Sequence, residues 1–122
     1  MSERKSILKD KSFAFAVHII TLCQFLNDDK REFIISKQLL RSGTSIGALI
    51  REAQNAESKK DFIHKLGISQ KECDESIYWL ELLKETKYID EQKFENINIE
   101  AMELLKMLRS EIITSKNDTH NP

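Results

Sequence analysis

Residues 38–83 read QLLRSGTSIGALIREAQNAESKKDFIHKLGISQKECDESIYWLELL, and this stretch decides the fold. In its second half Phe62, Leu66, Ser69, Cys73, Ser76, Leu80 and Leu83 recur at alternating steps of four and three residues. That is a heptad seam, one narrow helical face turned toward partner helices. The seam is bulky at both ends and small in the middle, at Ser69, Cys73 and Ser76, where a neighbouring helix can approach closely. Beside it runs a partial second row, Ile68, Glu72, Glu75, Trp79 and Leu82, which is apolar only near Trp79. In the first half, Leu39, Gly43, Ile46, Ile50 and Ala53 form the stripe of a core-facing helix. Gly43 and Gly47 lie one turn apart within it. A glycine inside a helix costs about 1 kcal/mol relative to alanine, so the pair predicts a flat patch against which another backbone packs.

Working outward, the boundaries of these two helices follow from local chemistry. Ser36 is placed to cap the first, just after Ile34 and Ile35. Ser58, with Asp61 three residues on, makes an S-x-x-D capping box for the second. The short link between them implies antiparallel neighbours. Farther on, Asp90 is placed to cap a last helix whose buried stripe is Phe94, Ile97, Ala101, Leu105, Leu108 and Ile112. The pattern predicts helices over 8–27, 37–55, 58–86 and 91–115, with a flexible tail over 116–122. The fold expected is all-α, a single antiparallel up-down-up-down four-helix bundle that assembles into a ring or barrel.

Composition agrees with this class. The chain has 122 residues, enough for one domain with a substantial core. It has three glycines, and its one proline is the last residue, Pro122, so nothing interrupts long helices. Charged residues make up 32%, with a formal net charge of −1. The N-terminal MSERKSILKDKS lacks a signal-peptide core. The apolar run over 13–26 is too short to span a bilayer and contains His18 and Gln24. Cys23 and Cys73 lack metal-ligand spacing and read as buried thiols of a reducing cytosol. A cytoplasmic protein without a membrane segment is expected.

The first helix is apolar on nearly every side. Phe13, Val17 and Ile20 make one stripe, and Phe15, Ile19, Leu22 and Leu26 another. One bundle needs only one such face, so the excess predicts burial against another subunit. The expected oligomer contacts are Phe15, Ile19, Leu22, Gly43, Gly47 and Trp79.

No motif carries enzyme chemistry. His18, His64 and His120 are scattered. Asp61-Phe62-Ile63-His64 is a single carboxylate-x-x-His element, whereas di-iron bundles need two such elements and two further carboxylates. There is no phosphate loop and no nucleophile with a base at recognisable spacing. No cofactor, metal or small-molecule substrate is expected. Charge is unevenly distributed, however. Lys37, Arg41, Arg51, Lys59, Lys60, Lys65 and Lys71 outnumber the acids of their segment, and the balance reverses between Glu72 and Glu103. Lys59 and Lys60 fall in the first helical turn, where free N–H groups and two cations would suit an anion. Three readings stay open: a phosphate or RNA contact through Arg41, Arg51, Lys59, Lys60, Lys65 and Lys71, a head-to-tail ring joining basic to acidic segments, or solvated charge. No aromatics interleave with these lysines, which disfavours a single-strand stacking platform.

The segments KSFAFAVHII (11–20), QLLRSGTSIGALIREA (38–53), DFIHKLGIS (61–69), KECDESIYWLELL (71–83) and the MLRSEI segment near Met107 together resemble the four-helix-bundle proteins linked to intervening sequences of bacterial 23S ribosomal RNA genes. The resemblance spans nearly the whole chain. It implies a homopentameric barrel. The accessory variability proteins of diversity-generating retroelements are similar in fold and bind RNA and a reverse transcriptase, which implies an RNA or protein partner here. Where the family often reads SI-x-x-NI-x-EA, this chain carries Leu49 in place of the asparagine and Arg51 in place of a small residue. Its sequence pI of about 6.3 also departs from the strongly basic retroelement relatives.

Overall fold

The computed structural model describes residues 3–118. Four helices follow one another: α1 (Glu3–Asp28), α2 (Ile35–Gln54), α3 (Lys59–Glu85) and α4 (Glu91–Asn117). No strand occurs among the described residues. Each helix packs on its sequence neighbours, and α1 also meets α4, which closes the bundle. Helix α1 starts at Glu3, five residues before the expected position, because nothing from there to Leu8 breaks a helix and Leu8 is buried. Residues 116 and 117, assigned to the tail, are helical, and 119–122, with His120, lie outside the described residues.

The seam of small residues joins α3 to α2. Contacts that ascend α2 descend α3: the Ser42 and Ser76 hydroxyls share a 2.8 Å hydrogen bond, and the Ser69 hydroxyl donates to the Ile46 carbonyl at 2.9 Å. All three serines are fully buried and all are satisfied, so the close approach leaves no orphaned polar group. Cys73 lies on the other flank and donates from Sγ to the Ala101 carbonyl of α4 at 3.3 Å. The core is completed by Phe15, Ile19 and Leu26 of α1, Leu39, Ile46 and Ile50 of α2, Leu66, Leu80 and Leu83 of α3, and Leu104 and Leu108 of α4.

The two internal glycines of α2 face α1. A Cβ at Gly43 would sit 2.9 Å from Ile19 Cγ2, and one at Gly47 would sit 3.2 Å from Ser12 Oγ. The flat patch exists, but α1 of the same chain occupies it. Gly43 therefore cannot serve the subunit contact expected of it, and Gly47 keeps only a partly exposed edge. The same correction applies to Phe15 and Ile19, which are fully buried within the single chain. Helix α1 had two apolar stripes to choose from, and the glycines decide between them: only the Phe15–Ile19 side can lie flush on α2.

Two of the expected caps form. Ser58 Oγ accepts from the Asp61 amide at 3.0 Å, and Asp90 Oδ1 accepts from the Lys93 amide at 2.8 Å. The third does not. Helix α2 begins one residue before Ser36, and its free amides belong to Glu32. The Glu32 carboxylate accepts from the amides of Ile34, Ile35 and Ser36 at 3.0, 2.9 and 2.8 Å. It is buried, and the Ser36 hydroxyl turns instead to Asn27 Oδ1 and the Glu32 carbonyl. A carboxylate offers two oxygens and a full charge to the positive helix end, more than a serine hydroxyl can.

Both loops at this end of the bundle turn through a left-handed residue that is not glycine. Arg31 has φ 54° and Lys87 has φ 67°. Lys87 is the C′ residue of a Schellman motif, with its amide donating to the Lys84 carbonyl at 3.0 Å and the Tyr88 amide to the Leu83 carbonyl at 2.9 Å. Glycine is the ordinary occupant of such a position, and a side chain there costs about 1–2 kcal/mol.

Candidate functional site

The cations expected to form a basic segment lie along α2 and α3, but most are already engaged. Arg41 is clamped by two carboxylates of α3, with Nη1 donating to Glu72 Oε1 at 3.1 Å and Nη2 bonded to Glu75 Oε2. Glu75, more than any other group, pushes the Arg41 guanidinium's pKa up. Glu75 Oε2 also accepts from the Trp79 indole at 3.0 Å, which holds the half-buried Trp79 in place. Lys65 donates to Glu52 Oε1 at 2.9 Å, and that contact pushes the Lys65 ammonium up. The Arg51 guanidinium lies over the Phe13 ring, 5.6 Å from its centre. Lys59 bonds to the Asp118 carbonyl. The N-terminus of α3 is filled by its own cap and by Asp61, which accepts from the Glu57 amide at 3.4 Å. Lys60 and Lys71 stay exposed on one face of α3 with His64 between them, and no ion pair holds any of the three. The six cations are therefore not gathered into one site.

Four other lysines are. Lys30, past the end of α1, Lys84 in the last turn of α3, Lys87 in the following loop and Lys93 in the first turn of α4 line one cleft of about 380 Å³ at the end of the bundle. None is paired with a carboxylate within 4.0 Å. Three rest over aromatic rings instead: Lys84 over Phe94 at 4.4 Å, Lys93 over Phe25 at 4.6 Å, and Lys30 over Phe25 at 5.8 Å. The exposed Tyr88 ring stands at the rim. Sequence spacing misses this cluster because its members flank two loops more than fifty residues apart.

A second surface is apolar. Phe13, Val17 and Ile20 lie on the outer face of α1 and are 57%, 45% and 41% exposed. Thr44, Gly47 and Ala48 of α2 continue this surface as the wall of a shallow groove beside Phe13. The surplus apolar stripe on α1 is real, but it is this one. Leu22, also expected at an interface, is half-buried and lines a separate groove between α1 and α4. Along that groove His18 Nδ1 meets Glu100 Oε1 at 2.8 Å, and Lys11 meets Glu103 at 3.1 Å.

Burial, above all, pushes the Cys23 thiol up to about 11 and the Cys73 thiol up to about 12, which suppresses the thiolate that a nucleophile needs. Among the described residues no group of three or more His, Cys, Asp or Glu side chains is placed to hold a metal ion. No described helix is long and apolar enough to cross a membrane.

A family model described as 23S rRNA-intervening sequence protein matches residues 4–110. The chain is similar to a crystal structure from Bacteroides thetaiotaomicron VPI-5482, a protein of unknown function from the S23 ribosomal protein family. The two share 52% identity with a TM-score of 0.88, over 89% of this chain and 97% of that one. No curated protein matches.

Proposed function

The chain belongs to the 23S rRNA-intervening sequence protein family, and we propose that it is a non-enzymatic helical scaffold. In this reading antiparallel four-helix protomers join into a closed ring in the cytoplasm and present a surface to RNA. The observation that carries the assembly is the exposed Phe13, Val17 and Ile20 stripe of α1. It is contiguous, it continues onto α2, and it lies on the most apolar helix of the chain. A second copy is the occupant a ring requires, and five copies are what the family resemblance implies. The RNA contact is supported by the family's connection to 23S rRNA and by unpaired cations on the bundle. A protein-interaction assembly without RNA is the second reading. It is favoured by Arg41 and Lys65, whose charges are spent on carboxylates of their own chain.

Light scattering on the full chain tests the assembly. A particle several times the 14.2 kDa protomer mass is expected, and Phe13→Asp or Val17→Asp should reduce it to a folded protomer. A stable 14.2 kDa species at micromolar concentration in the unaltered protein would refute the ring.

A further inference from the structure

We infer that the cleft between the α1–α2 and α3–α4 loops is a phosphate-binding site, built by Lys30, Lys84, Lys87 and Lys93 to grip consecutive phosphates of a single RNA strand. The site rests on the RNA part of the function proposed above and is independent of the assembly.

Three features point to an anion. First, the four ammoniums share one cleft and none has a carboxylate partner; Lys60 and Lys71 are also unpaired, so the gathering into one cleft is what sets these four apart. Second, ring faces hold three of them, Lys30, Lys84 and Lys93. A ring positions an ammonium without neutralising it, so Lys30 and Lys93, which both rest on Phe25, remain charges. Lysines near helix C-termini are ordinarily explained by the helix dipole, and that accounts for Lys84, Lys87 and Lys30. It does not account for Lys93, which lies in the first turn of α4, where a cation is disfavoured. Third, Lys87 occupies a left-handed Schellman position that favours glycine. A strained residue kept at the mouth of a cleft is a pointer to function.

The chemistry of the cleft favours phosphate over carboxylate. Asp90 and Glu91 also line it, and Asp90 is committed to capping α4. The ligand must therefore outbid two local acids, which suits the denser charge of successive phosphodiesters. Lysine acts on phosphate as a point charge with no base-reading geometry, so recognition should be indifferent to sequence. The exposed Tyr88 ring adds aromatic surface of the kind single strands use.

The test uses the full chain and a fluorescein-labelled single-stranded RNA read by anisotropy, with tripolyphosphate and poly-glutamate as competitors. One variant combines Lys30→Gln, Lys87→Gln and Lys93→Gln, all exposed positions. The other combines Lys59→Gln, Lys60→Gln and Lys71→Gln. Unchanged thermal melts establish that both fold. The cleft variant should lose about tenfold or more in RNA affinity, and its log–log salt slope should flatten by roughly 2, about 0.7 for each phosphate no longer neutralised. The α3 variant should change little, and tripolyphosphate should compete. If the α3 variant loses binding and the cleft variant does not, the RNA reading stands and this site is wrong. If neither RNA nor tripolyphosphate binds, both fall. Tripolyphosphate binding that the cleft variant abolishes, without any RNA binding, keeps the phosphate site and overturns the RNA strand as its ligand. Poly-glutamate competing as well as RNA of equal charge would overturn phosphate recognition in favour of an acidic protein.

Discussion

Replacing Gly43 by alanine adds one methyl group where α1 and α2 touch. The new Cβ would lie 2.9 and 3.0 Å from the two γ carbons of Ile19 and 3.3 Å from its Cβ. Ile19 cannot swing aside. It is β-branched, its rotamer in a helix is narrowly restricted, and it is completely buried. Relief requires α1 to move away from α2, and overpacking of this kind costs about 1–3 kcal/mol. Against it stands the helix-propensity gain from glycine to alanine, about 1 kcal/mol. Gly67 supplies that gain alone, because a Cβ there meets nothing within 4 Å. The difference between the two variants therefore isolates the packing cost, about 1–3 kcal/mol. Urea denaturation read by far-UV circular dichroism measures both. Gly67→Ala should stabilise by about 1 kcal/mol and raise Tm by roughly 3–5 °C. Gly43→Ala should fall below the unaltered protein or at best equal it. If Gly43→Ala stabilises as much as Gly67→Ala, the α1–α2 contact is not close and the choice of α1 stripe has another cause. Both must be measured at one protein concentration, since an assembly makes Tm concentration-dependent.

Phe15→Asp or Ile19→Asp should unfold the chain rather than dissociate it, since each leaves a charge in the core at a cost of several kcal/mol, about 3–5; a folded monomer by circular dichroism would contradict this. Glu32→Ala strips three amides at the start of α2, those of Ile34, Ile35 and Ser36, of their acceptor and should cost about 2–3 kcal/mol in urea, whereas Ser36→Ala, removed from the capping role, should cost less. Raised thiol pKa values make stability complete below the ordinary value of 9.0 and progressively lost as pH climbs toward about 11 for Cys23 and about 12 for Cys73. The unfolded chain releases those protons first, so the loss approaches about 1.4 kcal/mol per pH unit for each thiol. Cys23→Ala should flatten the slope above pH 9, and a native thiol labelled by iodoacetamide as fast as the unfolded one would refute the burial.

The features legible in the sequence are the local ones. The Ser58 and Asp90 caps depend on residues three positions apart, and the small centre of the α3 seam depends on one helical period. Both α2 glycines announce a close approach without naming the partner, because a glycine specifies a gap and not what fills it. The two stripes of α1 are equally apolar, so their assignment depends on a contact between positions 19 and 43. The Glu32 cap is hidden in the sequence because the acceptor precedes its amides by two to four residues around a turn, with no cap residue at the helix start. The basic segment misleads for a related reason. Charge along the chain says nothing of pairing, and Arg41 finds its carboxylates 31 and 34 residues away. The lysine cleft needs two loops to meet.

The buried serines of α2 and α3 behave as a keyed joint. A slide of α3 by one turn would separate Ser76 from Ser42 and Ser69 from the Ile46 carbonyl, and would push leucines into space that only hydroxyls fit. The pair thus has one resting position and no cheap neighbouring one. The α1–α4 side is different: its polar clasps, His18–Glu100 and Lys11–Glu103, sit at the surface beside an open groove. Local opening should respect that asymmetry. Amide exchange in the native protein should run fastest along the facing edges of α1 and α4 and slowest at the centres of α2 and α3. The α2–α3 hairpin then acts as the chassis of the molecule, and the outer helices as panels hung on it that can flex at their free edge without disturbing the frame.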